Sequence, residues 1–314
     1  MNLPSRSTFL RSAALGCAAA AAPRIASAQL VPLRVGSLLA DVYGEPYYAK
    51  AAGTFAKAGF DLGVGSVFNG QAGLAALSGG SYDLTLSDII TGTLGVAAKL
   101  PILLVAASAL YDASNPTTIL AVAKNSTLRG PRDLRGKIIG LGGLSGLGYT
   151  CLQAWLAKNG IAWDEVKVIE IPTPSMGPAL ARGTVDVSLI GEPFLSYFKD
   201  DVRDFAHFID VCGKSFVQTA WYASTSWFEA DRDRARRVIG AIYDSARWAN
   251  AHRDDTLAIL VRDGKLDADK VQGMRRVPFA TSLTPAAVQP VLNLGAQYKI
   301  FDQLYDAKQL ITTV

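Results

Sequence analysis

Short apolar runs alternate along the chain with stretches whose apolar positions recur at helical spacing. Residues 33–37 read as a first strand, 46–58 as a helix closed by Gly59, and 60–68 as a second strand ending at the Asn69-Gly70 turn. Residues 71–77 continue as a helix, and 83–87 form a third strand, with Asp88 placed to cap the helix that follows. The pattern restarts at residues 119–123. A strand at 137–141 runs through a glycine-rich turn into a helix at 147–158. A strand at 166–171, a helix at 176–182 and a strand at 185–190 follow, and Glu192-Pro193 opens another helix. From Ala230 the pattern turns helical, over 234–251, 256–262 and 268–276. Strands separated by helices imply two mostly parallel α/β sheets with right-handed crossovers.

The first residues break this pattern. Arg6 and Arg11 precede an Ala-rich apolar stretch, and Ala26-Ser27-Ala28 fits a small-residue cleavage site. Residues 1–28 are therefore read as a signal peptide, with Gln29 as the new terminus. Residues 5–11 resemble a twin-arginine export signal but carry Ser7 where the second arginine belongs, so the export route stays open between Sec and Tat. The apolar run is too short to span a bilayer. Cleavage removes Arg6, Arg11 and Arg24 and no acid, which takes the formal charge from +4 to +1. So mild a balance gives no footprint for nucleic acid, and the Arg232–Arg237 cluster reads as a solvated helix face. Cleavage also removes Cys17. An oxidising compartment permits a disulfide between Cys151 and Cys212, which their spacing does not establish; they are read as two buried free thiols. No Cys-x-x-Cys pair occurs, and no metal site or cofactor is expected.

A series of landmarks carries a family resemblance: Leu33-Arg34-Val35-Gly36, Tyr48-Ala49-Lys50 leading into 53–59, residues 75–83, Asp133-Leu134-Arg135-Gly136-Lys137, residues 179–186, and Glu192-Pro193. In this order and spacing they resemble the periplasmic solute-binding proteins of ABC importers, in the SsuA/THI5-like (NMT1) family. The resemblance implies a type II periplasmic-binding-protein fold of two α/β lobes with a ligand cleft between them. Lobe 1 would comprise 29–120 and 217–314, and lobe 2 would comprise 121–216. It further implies a monomeric periplasmic receptor that hands a small organic solute to an ABC permease in the inner membrane, and no catalysis.

In open α/β sheets the ligand sits beyond the carboxyl ends of the strands. The loops so placed supply Leu39, Asp41, Tyr43 and Tyr47 after strand one, Asn69, Gly70 and Gln71 after strand two, and Ser87 and Asp88 after strand three. In the second array they supply Ser145, Gly146 and Tyr149, then Gly191 and Glu192, and Trp221 and Tyr222 lie near the return crossing. Helix N-termini there favour an anion; the aromatics favour a flat or apolar group. No Lys or Arg falls in these loops, so no guanidinium clamp for a carboxylate or sulfonate is visible, and Asp41, Asp88 and Glu192 suit an amine or a ring N–H.

Two other readings compete. Residues 140–148 approximate a dinucleotide-binding glycine pattern with Glu170 ending the next strand, which an export signal argues against. An enzyme on the same fold, THI5-like or otherwise, would have to use cleft carboxylates: the family's thiamine-pyrimidine synthases depend on a His and a Cys-rich iron motif, whereas this sequence has no Cys cluster and neither His207 nor His252 lies in a predicted cleft loop.

Overall fold

The computed structural model describes residues 29–313, so the signal-peptide reading and Cys17 lie outside the described residues. The first array folds as β1 (Val31–Ser37), α1 (Glu45–Ala52), α2 (Thr54–Lys57), β2 (Phe60–Ser66), α3 (Gly70–Ser78), β3 (Leu84–Asp88), α4 (Ile89–Ala97) and β4 (Ile102–Ala107). Gly53, at φ +66°, splits the helix expected over 46–58 into α1 and α2. A short β5 (Leu110–Asp112) leads across to the second array. This contains β6 (Thr118–Ala123), β7 (Ile138–Leu141), α5 (Gly146–Lys158), β8 (Lys167–Glu170), α6 (Met176–Ala181), β9 (Val187–Gly191), α7 (Phe194–Tyr197) and β10 (Val202–Ala206). The chain returns through β11 (Ser215–Val217) and β12 (Thr219–Ser224). It finishes in α8 (Thr225–Ala230), α9 (Arg232–Ala251), α10 (Arg253–Gly264), α11 (Ala268–Val271), α12 (Pro285–Gln297) and α13 (Ala307–Leu310). The helix expected over 268–276 stops at Val271, and Gly273 at φ +74° turns the chain into an extended segment.

The two five-stranded sheets share one plan. The first has the order β2-β1-β3-β12-β4 and the second β10-β6-β9-β7-β8. In the first, β1 pairs parallel with β2 and β3, while β12 runs antiparallel to both β3 and β4. In the second, β7 pairs parallel with β8 and β9, while β6 runs antiparallel to β9 and β10. Each sheet is thus mostly parallel with one reversed strand, and that strand is the first to be laid down after the chain crosses between lobes. The crossing segments themselves pair, β5 with β11, as a two-stranded antiparallel ribbon.

Central strands are covered on both faces and therefore read as unbroken apolar runs. Every residue of β3 is buried. A large apolar cluster runs through α4, α5 and α12, with Ile90, Leu152 and Leu292 buried in it, so the lobes share packing behind the cleft. Among the described residues no helix is long and apolar enough to cross a membrane. Cys151 and Cys212 are both buried as free thiols.

Candidate functional site

The parallel strands of both sheets end at a common cavity of about 150 Å³ between the lobes. By volume this is room for a benzene-sized molecule. The first lobe contributes the segment after β1 and the β2–α3 turn. The second contributes the β7–α5 turn and the end of β9.

Nine of the sixteen residues expected from the sequence line this cavity: Tyr43, Asn69, Gly70, Gln71, Asp88, Ser145, Tyr149, Gly191 and Glu192. Asn69 caps α3 by accepting from the Ala72 amide at 2.9 Å, and its side-chain amide reaches Glu170 of the other lobe at 3.4 Å. Gln71 donates across the cleft to Ser145 Oγ. Asp88 does double duty. Its Oδ1 accepts from the Thr91 amide at 2.9 Å, capping α4, and from the Leu147 amide of α5 at 3.0 Å; Thr91 Oγ1 donates to Oδ2 at 2.6 Å. Burial raises the Asp88 carboxyl above its ordinary range, against the hydrogen bonds from Thr91 and Leu147. Glu192 accepts from Ser196 N at 3.0 Å, Ser196 Oγ at 2.9 Å and Arg275 N at 3.3 Å. Burial pushes its carboxyl up to about 7.

The other seven lie off the cavity lining. Asp41 is 1% exposed and bound by Arg276, with Nη2 at 2.9 Å and Nε at 3.1 Å, by Tyr48 Oη at 2.9 Å and by the Val277 amide at 2.9 Å. Leu39 faces a neighbouring apolar groove with Leu260 and Leu266. Tyr47 donates to the Ser37 carbonyl at 3.1 Å. Ser87 is buried within β3. Gly146 begins α5 at φ +83°, and a Cβ there would lie 2.5 Å from Thr91 Oγ1. Trp221 and Tyr222 are the clearest departures. They point to opposite faces of β12, a strand covered on both sides, so both are core residues. Trp221 is fully buried, stacks on Phe55 and donates to Glu45 Oε2 at 2.8 Å; Tyr222 Oη reaches the Asp88 carbonyl at 3.5 Å.

Thr118, Gln218 and Thr219 line the cavity and were not anticipated. All three stand at the amino end of a reversed strand or one residue before it: Thr118 opposite Gly191, Thr219 opposite Asp88. A reversed strand brings its amino end to the edge where its neighbours present their carboxyl ends. A search confined to carboxyl ends misses it. The available signal was a polar pair, Gln218-Thr219, just ahead of an apolar run. No Lys, Arg or His among the described residues lines the cavity, and no group of three or more His, Cys, Asp or Glu among them could hold a metal.

Two mixed sheets of the same strand order with a cavity at their facing ends define the type II periplasmic-binding-protein fold. The family described as NMT1/THI5 like matches residues 43–256, and the chain belongs to it. A protein of Brucella abortus that carries the provisional name of a binding protein is 26% identical over 268 residues, covering 83% of this chain and 80% of its own. The alkanesulfonate-binding protein SsuA of Xanthomonas axonopodis pv. citri, bound to MOPS, superposes with a TM-score of 0.75 at 19% identity, covering 92% of this chain and all of that one. The desulfurization enzyme DSZB shares the fold too, with a TM-score of 0.66 at 13% identity, over 90% of this chain and 96% of that one.

Proposed function

We propose that the protein is an exported receptor that captures a small organic solute, of aromatic, pyrimidine-like or sulfonate character, between its lobes and delivers it to an ABC permease of the inner membrane. The observation that carries this reading is the small cavity assembled from both lobes, which a solute can fill only while the lobes are together. A solute that touches both lobes favours the closed form by its differential affinity, and the closed form is what a permease would recognise. The likeness to SsuA, an alkanesulfonate-binding protein, supports a receptor. Lobe boundaries at 120/121 and 216/217 belong to the same proposal, with the ribbon of β5 and β11 as the hinge. The cavity-lining residues, from Tyr43 to Thr219, would form the contact surface.

The test is thermal unfolding of the chain from Gln29 against small solutes. A ligand at about 100 times its Kd stabilises by about 2.7 kcal/mol. A shift with the solute recovered unchanged supports the receptor. The second reading is an enzyme, favoured by the fold shared with DSZB and by Glu192 held near 7, where a carboxyl can exchange protons at neutral pH. Chemical conversion of the stabilising solute would establish that reading instead.

A further inference from the structure

The polar lining of the cavity is one-sided in charge. Asp88 and Glu192 present carboxylates, and the cationic side chains of the hinge region are engaged elsewhere. The Arg276 guanidinium lies on Asp41, and that of Arg275 lies on the Pro116 carbonyl at 2.9 Å and on Asp204 at 3.2 Å.

The N-terminus of α5 opens on the cavity, and such a terminus ordinarily welcomes an anion. Here one of its amides, that of Leu147, is already donated to Asp88, which sets a carboxyl of the protein's own beside that terminus. Two other helix N-termini at the cavity are capped, that of α3 by Asn69 and that of α4 by Asp88. An incoming anion would meet two acidic side chains and no cation, and could lie beside them only against their charge or after their protonation.

Gln218 provides an independent sign. It lines the cavity, is only 6% exposed, and its Oε1 has no hydrogen-bond partner. A buried carbonyl oxygen left unpaired is costly, and a donor carried by the solute would relieve that cost.

Resting on the solute-binding reading of the same cavity, we infer that the solute is a compact organic molecule presenting N–H donors, from an ammonium, amide or ring nitrogen, to Asp88, Glu192 and Gln218, and that sulfonate, nitrate and carboxylate ions are excluded. Within the solutes proposed above, this selects the pyrimidine-like ones and those aromatic ones that carry an N–H group, and removes the sulfonates.

Calorimetric titration with benzylamine, benzamide, benzenesulfonate and nitrate tests this on one ring size. Benzylamine or benzamide should bind at least about tenfold more tightly than benzenesulfonate, and nitrate should give no binding. Asp88→Asn keeps a capping oxygen while removing the charge, and should narrow the benzylamine-to-benzenesulfonate ratio by about tenfold. Gln218→Leu should weaken benzamide by about tenfold with an unchanged Tm. Benzenesulfonate or nitrate binding as tightly as the nitrogen probes overturns the inference and leaves the receptor reading standing. If the wider solute screen finds a different ligand, its charge class decides in the same way. Failure of every probe and every solute sinks both.

Discussion

Asp41 shows how far apart in the chain the partners of one buried charge can be. Its carboxylate is held by Arg276, at 10% exposure, and by Tyr48 and the Val277 amide, which joins the start of the chain to its last third. Removing one member of a buried pair strands the other, so Arg276→Ala should lower stability by about 3–5 kcal/mol in a denaturant titration. Arg276→Lys should recover only part of this, because one ammonium cannot replace a two-nitrogen fork. Nothing in the sequence reports this pairing, since no periodicity links positions so distant. The sequence placed Asp41 in the cleft for sound local reasons, whereas its long-range partner Arg276 holds it off the cavity lining. Glu45 gives a second prediction. It is fully buried against Trp221 and faces no cation, so burial pushes its carboxyl up to about 8. A raised folded pKa means that its contribution to stability is present below the unfolded value, about 4.5, and is lost as pH rises through 8. Glu192, raised to about 7, acts in the same direction. The Tm of Glu45→Gln relative to the native chain should therefore climb between about pH 5 and pH 8.

At the scale of elements, the strand–turn–helix units were the legible part. The β3–Asp88–α4 junction and the β7–α5 turn can be read from an N-cap carboxylate and a glycine run, and both stand at the cavity. β12 escaped because an apolar run buried on both faces has no alternation to read, and with it went the true places of Trp221 and Tyr222. Gly146 carries the sharpest expectation here. Its positive φ suits glycine, and any Cβ would press on Thr91 and Asp88 of the opposite lobe. Gly146→Ala should cost more than about 1 kcal/mol of stability and abolish the Tm shift given by a bound solute. A normal shift in that variant would show that the Asp88–Leu147 contact is dispensable for closure.

For the whole molecule, the cleft-side contacts between lobes are polar: Gln71 with Ser145, Asn69 with Glu170, Asp88 with Leu147, and the Asp41 and Arg275 amides with Glu192. Behind the cleft the shared packing of α4, α5 and α12 is apolar. Polar contacts at a wet rim exchange readily for water, so the front should open more easily than the back. In small-angle scattering, a bound solute should reduce the radius of gyration, and Gly146→Ala should remove that contraction. The two-lobed plan was accessible from the order of elements and family landmarks. The dual reversed strands were not, because strand direction after a crossing depends on topology rather than on composition.

The ribbon of β5 and β11 has a consequence of its own. Its pairing is made by main-chain groups, which every sequence supplies alike. If the lobes move about this ribbon as proposed, the path of that motion is inherited separately from the side chains that line the cavity. On that proposal, a lineage could exchange one cargo for another by altering Asp88, Gln218 or Thr118 while its stroke stays the same.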